Sequence, residues 1–345
     1  NTFPTWNSYP ALFADLAVGA SVIVKPHPRA ILPLALTVKI AREVLAEAGL
    51  PPDVVLLAVD APGAEVTKEL ATHPQVGLID YTGSNAFAGW LRDHARQARL
   101  FTEEAGVNSV VIAATSDFAG LCANLAFSLA LYSGQMCTAP QNIYVPRGGI
   151  DTDQGRKSFD EVGRGIADAI DALLADPARA RDVAGAIANP ATLARLTALA
   201  TEGRVMRSSA PLGEGLTASP TLIALEGGDA LAHEEWFGPV AFLIAVADGR
   251  EGVMKAAALA KAKGAITAAL YATDEALIEE AVDAFAAAGA NLSINLTGHI
   301  FVNQSAAFSD YHVTGANPAG NACLTDAAFI VNRYAVTMAR RPKAS

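Results

Sequence analysis

Short aliphatic and β-branched runs alternate with stretches of helical periodicity along almost the whole of this chain. That alternation restricts it to an α/β fold in which helices cover and connect parallel strands. The first series is Ser21-Val22-Ile23-Val24, a helical pattern over 33–48, Val54-Val55-Leu56-Leu57, a second pattern over 64–71, and Val76-Gly77-Leu78-Ile79. These runs are continuously apolar, as strands buried on both faces are. After Gly106 the series restarts with Val110-Val111-Ile112, a helix from Phe118, a strand over 142–145, and helices over 159–174 and 191–200. Strands over 222–225, 240–246, 265–272 and 291–295 follow, with helices over 253–263 and 275–288 between them. Two parallel-sheet α/β domains are therefore expected. Their boundary falls at Glu103-Glu104-Ala105-Gly106, where two carboxylates before a glycine end an apolar strand. The units are 1–105 and 106–298. The remainder, 299–345, is richer in Gly, Asn and Pro and carries an apolar stretch, 327–338, suited to packing on a neighbouring subunit.

Composition narrows the partners. The 345 residues carry a formal net charge of −10 with no run of Lys or Arg, and both nucleic acid and anionic membrane demand a concentrated basic face. A small-molecule ligand is expected instead. Three cysteines, Cys122, Cys137 and Cys323, form no Cys-x-x-Cys pair and leave an odd thiol in any disulfide scheme, so a reducing compartment, the cytoplasm, is expected. The most apolar window, 107–132, holds Asn108, Asp117 and Asn124 and is interrupted by Gly120, a pattern of strand and core helix rather than of a membrane span. No secretory leader pattern opens the sequence. It begins at Asn1 in a Pro-punctuated segment, and the expectation is that an N-terminal portion of the first domain is missing.

Ligands of open parallel sheets bind beyond the carboxyl ends of the strands, which sets Lys25-Pro26 and Tyr81-Thr82-Gly83-Ser84 at a ligand edge. Cys137, in Gly134-Gln135-Met136-Cys137-Thr138-Ala139-Pro140, lies where a helix gives way to a loop that Pro140 keeps from being helical. A thiol so placed faces a cleft. Glu104 ends a strand and has the chemistry of a general base. Glu235 and Phe237, in Glu234-Glu235-Trp236-Phe237-Gly238-Pro239, offer a carboxylate for sugar hydroxyls and a flat ring for a cofactor ring. Lys25 suits ribose or phosphate oxygens. Each signal is weak alone, since a lone cysteine is more often packing and a strand-end carboxylate more often solvated. Gly-x-Gly-x-x-Gly, Walker A and Gly-x-Ser-x-Gly patterns are absent, and His233 has no second histidine at zinc-helix spacing, so no metal site is expected.

In this order and at these spacings, Lys25-Pro26, Thr82-Gly83-Ser84, Glu104-x-Gly106, Gly134-Gln135-x-Cys137 and Glu235-x-Phe237-Gly238-Pro239 resemble the aldehyde dehydrogenase superfamily. Within it, the opening Asn1-Thr2-Phe3-Pro4-Thr5-Trp6-Asn7-Ser8-Tyr9-Pro10 and Lys25-Pro26-His27-Pro28-Arg29 look most like the phenylacetic acid degradation PaaN type. The resemblance implies a cofactor-binding domain over 1–105, a catalytic domain over 106–298 and an oligomerisation segment over 299–345, assembled as a homodimer or homotetramer. It makes Cys137 the nucleophile, Glu104 the general base, Lys25 and Glu235 the ribose contacts, Phe237 the neighbour of the nicotinamide, and Gly83 and Ser84 neighbours of the pyrophosphate. Of two candidates for the oxyanion amide, Asn1 fits with one extra residue and Asn7 only with a deletion; Asn1 is preferred.

The departures bear on cofactor and substrate. Where NAD-preferring members often carry an acid, this chain has Pro28 between His27 and Arg29, so NADP is expected to be accepted as well as NAD. Ala88 stands where many members have Gly, and Ala307-Phe308-Ser309-Asp310 replaces the usual Pro-Phe-Gly-Gly. The implied reaction is oxidation of an aldehyde to the acid through a cysteine thioester. Its implied substrate is a semialdehyde of aromatic or phenylacetate catabolism, free or as a coenzyme A thioester. The alternative is a truncated or non-catalytic binding or assembly module of the same ancestry.

Overall fold

The computed structural model describes residues 5, 8–61, 63–64, 66–104, 106–199, 202–213, 216–225, 230–303, 330–334 and 339–341. Its first unit runs α1 (Tyr9–Ala17), β1 (Val22–Val24), α2 (Ile31–Glu47), β2 (Val55–Leu57), α3 (Val66–Thr72), β3 (Leu78–Gly83), α4 (Asn85–His94) and β4 (Arg99–Glu104). The strands form two separate parallel pairs, β1–β2 and β3–β4, where one sheet was expected. Leu12, Val24, Leu34, Val38 and Val55 form a small core beneath the first pair. The opposite face of α2 is apolar too: Leu32, Leu36, Ile40 and Val44, one turn apart, are 67, 50, 56 and 57% exposed. Between these two apolar faces α2 carries Lys39, Arg42 and Glu43.

The second unit runs β5 (Ser109–Ile112), β6 (Ala114–Thr115), α5 (Phe118–Ala130), β7 (Asn142–Pro146), β8 (Asp151–Thr152), α6 (Phe159–Leu174), α7 (Pro177–Val183) and α8 (Pro190–Leu199). It continues with β9 (Arg204–Arg207), β10 (Thr221–Leu225), β11 (Val240–Val246), α9 (Gly249–Lys263), β12 (Thr267–Tyr271), α10 (Glu275–Ala288) and β13 (Asn291–Ile294). Seven strands form one sheet in the order β13-β12-β5-β7-β11-β10-β9, parallel except at the β9 edge, which pairs antiparallel with β10. All seven residues of β11, near the middle, are buried, which explains a sequence run with no polar alternation. Residues of α9 and α10 pack on one face of the sheet and those of α5 and α6 on the other. Local chemistry sets the helix starts: Asp117, Asp248 and Asp274 accept from the first turns of α5, α9 and α10, and Ser158 with Glu161 forms a capping box on α6.

The described part of the C-terminal segment packs on this same chain. Arg333, 1% exposed, forms ion pairs with Asp15 of α1 and Asp80 of β3 and lies 4.1 Å from the Phe101 ring centroid. Arg99 donates to the carbonyls of Asn332 (3.1 Å) and Tyr334 (2.8 Å). No described helix is long and apolar enough to cross a membrane.

Candidate active site

The candidate residues stand at two sheet edges. Lys25, Gly83, Glu103 and Glu104 stand at the carboxyl ends of first-unit strands. Asn108, Cys137 and Glu235 precede β5, β7 and β11, at the amino edge of the large sheet. The chain passes from one edge to the other through Gly106, where a Cβ would lie 1.8 Å from the Gly264 carbonyl oxygen. Only glycine fits that crossing.

Below α5 the backbone turns through Tyr132 and Ser133, at φ 52° and 55°, and Gly134, at φ 66°. A Cβ on Gly134 would meet the Gly238 carbonyl oxygen at 2.4 Å, so the Cys137 loop lies directly against the Gly238-Pro239 turn. Side-chain amides fix the loop. Asn108 donates to the carbonyls of Cys137 (2.7 Å) and Ala139 (3.0 Å) and accepts from the N–H groups of Ile266 and Thr267. Gln135 donates to the carbonyls of Tyr132 and Ala186 and accepts from Ala188 N–H. Gln141, four residues beyond the thiol, donates to the Glu234 carbonyl (2.9 Å) and accepts from Trp236 N–H (2.8 Å). It thereby grips the peptide on both sides of Glu235. Asn108, Cys137, Gln141, Glu235 and Phe237 line one cleft. The sequence reading quoted Gln135 as part of the cysteine motif but gave none of the three amides a role, because their partners are backbone groups distant in sequence.

Cys137 is partly exposed. Burial of the sulfur, then the charge of Glu103, pushes its thiol well above the ordinary range, with Glu235 adding to the shift; the N–H groups of Cys137 and Thr138 pull the other way. The thiol is therefore neutral near pH 7 and needs a base to become nucleophilic. Glu104 is engaged by Arg92, whose Nη1 and Nη2 lie 2.6 and 3.3 Å from its two oxygens, and accepts from Thr102 Oγ1 at 3.0 Å. Glu103, on the opposite face of β4, is 4% exposed and is the carboxylate whose charge weighs most on the thiol.

Burial also raises the Glu235 carboxyl to about 7, with Arg195 opposing. Phe237 is 41% exposed beside it. Lys25 Nζ lies 2.7 Å from Asp60 Oδ1. Gly83 and Ser84 lead into α4, where Ser84 Oγ accepts from Phe87 N–H. The donor set fits a nicotinamide dinucleotide: a helix N-terminus for the pyrophosphate, a cation and carboxylates for ribose, and a ring for the nicotinamide. Asn1 and Asn7 lie outside the described residues, as do Phe308 and Cys323. A separate hollow of about 580 Å³, lined by Arg147, Phe159, Gly203 and Arg204, lies at the opposite edge of the large sheet. No group of three metal-ligating side chains is gathered among the described residues.

Comparison with known proteins places the fold. The model of the Aldehyde dehydrogenase family matches residues 2–319, and the chain belongs to that family. A solved NAD-dependent aldehyde dehydrogenase from Burkholderia multivorans is 51% identical with a TM-score of 0.91, covering 96% of this chain and 61% of its own. Geranial dehydrogenase of Castellaniella defragrans is 30% identical over 70% of this chain and 50% of its own length. The 3,4-dehydroadipyl-CoA semialdehyde dehydrogenase of Aromatoleum evansii is 26% identical over 86% and 60%. The chain thus spans half to three-fifths of the length of these relatives.

Proposed function

We propose that this protein oxidises an aldehyde to the corresponding acid, with NAD or NADP as hydride acceptor, through a thioester on Cys137. The observation that carries the proposal is the single cleft joining Cys137, Glu235 and Phe237, with Glu103 weighing on the same thiol. Glu103, rather than Glu104, takes the thiol proton in this reading, because Glu104 is committed to Arg92. The thiolate attacks the carbonyl carbon, and in this reading the Cys137 N–H holds the oxyanion that forms; such donors contribute several kcal/mol. When bound, the nicotinamide supplies the acceptor for the hydride released as the oxyanion collapses. Once Glu103 has passed the thiol proton to solvent, its carboxylate removes a proton from water as that water attacks the thioester; the adduct collapses to the acid and the Cys137 thiolate, which takes the proton back from Glu103. Asn1 remains a candidate second oxyanion donor. Lys25 and Glu235 hold ribose, Gly83 and Ser84 approach the pyrophosphate, and Phe237 flanks the nicotinamide.

The substrate we infer is a semialdehyde of aromatic breakdown, free or as a coenzyme A thioester. The semialdehyde dehydrogenase of Aromatoleum evansii named above supports this, as does the PaaN-like pattern at the start of the chain. The cytoplasm suits a protein in which Cys122 and Cys137 are reduced, and the assembly we infer is a homodimer or homotetramer. A screen of aldehydes and semialdehydes with NAD and NADP, following reduced cofactor, tests the activity; Cys137→Ala should abolish it, and turnover surviving that change would refute the assignment.

The exposed Leu32, Leu36, Ile40 and Val44 face of α2 favours a second reading, a non-catalytic assembly module. Binding of NAD or NADP by the protein separates the two, since a scaffold has no need of either.

A further inference from the structure

We propose that Asp60 sets the choice between the two dinucleotides and makes this site prefer NAD over NADP. The inference rests on the cofactor reading above and adds a residue that the motifs did not single out. β1 and β2 run parallel, Val24 opposite Leu57, and the Ala58 N–H extends the ladder to the Val24 carbonyl at 2.9 Å. Lys25 directly follows β1, and Asp60 stands three residues beyond β2. Their side chains meet over the carboxyl edge at 2.7 Å and are 19 and 5% exposed. In dinucleotide-binding βαβ units an acid beyond the second strand takes the ribose hydroxyls, and a cation in that region accommodates a 2′-phosphate.

Here the carboxylate occupies that region, and the cations nearby are otherwise engaged. Lys25 Nζ is held by Asp60 at 2.7 Å. Arg29 sends Nη1 to the Ala188 carbonyl at 2.8 Å, while its own N–H donates to His27 Nδ1 at 3.2 Å. Desolvation and the charges of Lys25 and Arg29 hold the His27 imidazole below its usual range. A doubly charged 2′-phosphate entering beside Asp60 would meet like charge in a half-buried site, where screening is weak. A ribose 2′-hydroxyl would donate a hydrogen bond to the same oxygens. The neighbours of Pro28 suggested tolerance of NADP; the Lys25–Asp60 pair outweighs them.

The test is titration of the protein with NAD and with NADP, read by calorimetry, before and after Asp60→Asn. The expected result is NAD binding at least about tenfold tighter, a difference typical of one adverse charge contact. In Asp60→Asn that ratio should collapse toward one or reverse. Lys25→Met, which strips Asp60 of its counter-charge, should widen it. A ratio resists general damage to the fold, because both ligands report on the same protein. Equal or tighter binding of NADP by the unmodified protein would overturn the inference while leaving the enzyme reading intact, and so would a ratio unmoved in both variants. Binding of neither dinucleotide would overturn both.

Discussion

At the scale of single residues, β4 gives two adjacent carboxylates opposite surroundings. Thr102 and Glu104 share one face and are joined by a hydrogen bond, and Arg92 reaches Glu104 from α4. Glu103 is buried on the other face, and its charge raises the Cys137 thiol more than that of Glu235 does. Replacing Glu103 by Gln should therefore lower kcat by about a hundredfold or more, the usual contribution of a general base. Glu104→Gln should cost less than about tenfold, because an exposed Arg pair contributes little; steady-state kinetics of the two variants distinguishes them. Glu235 yields a pH prediction. Its carboxyl is raised to about 7, so the folded protein holds a proton there that the unfolded chain releases at lower pH. Between the ordinary carboxylate range and about 7, this group makes the cofactor-free fold more stable as pH falls. Cofactor binding runs the opposite way, since only the ionised carboxylate accepts from two hydroxyls. Dinucleotide affinity should strengthen as pH rises through about 7, and Glu235→Gln should flatten that dependence in a pH series of titrations.

At the scale of elements, the Cys137 loop keeps its place through backbone contact more than through side-chain packing. Gly134 is in the left-handed region and touches the Gly238 carbonyl, so Gly134→Ala should push the loop away from the Glu235–Phe237 segment. A displacement of that size costs roughly a hundredfold in turnover, and it should appear in kcat with the cofactor affinity less affected. Much of this architecture was legible in the residues. β11 and α10 follow directly from an unbroken apolar run and from a helical period closed by Gly289. Other elements were not legible, for identifiable reasons. Arg204-Val205-Met206-Arg207 has no strand pattern of its own, and β9 exists because β10 offers it an edge. α7 is seven residues started by the Asp176 cap and Pro177, too short for periodicity to emerge. α1 lies in a Pro-punctuated stretch that reads as loop. In the site, the cysteine and the Glu235–Phe237 turn stood out by residue type. Glu104 stood out by its motif, whereas the burial of Glu103 depends on the phase of β4, which two adjacent identical residues do not announce. Asp60 was hidden similarly, since its meaning comes from a strand pairing with Lys25 across 35 residues of chain.

At the scale of the molecule, the 330–334 segment ties the end of the described chain to its first unit through one buried guanidinium shared by Asp15 and Asp80. Burial raises both carboxyls, and Arg333 opposes the rise. Removing a single partner strands the others, so Arg333→Leu should lower stability by about 3 kcal/mol. Replacing Arg333, Asp15 and Asp80 together by apolar residues should recover most of that loss; denaturant unfolding of the two variants checks both statements. The charge of Glu103, at the end of the first unit, acts on Cys137 in the second, and the chemistry proposed here reduces to whether an acyl group ever rests on that sulfur. The most direct measurement is intact-protein and peptide mass spectrometry of the unmodified protein, quenched in acid within a turnover of mixing with aldehyde and NAD, which catches the thioester before water removes it. An added acyl mass on the peptide carrying Cys137, absent without NAD and absent after Cys137→Ala, is the predicted result. Aldehyde-dependent reduction of NAD with no acyl mass on Cys137, or with the mass on Cys122, would contradict it.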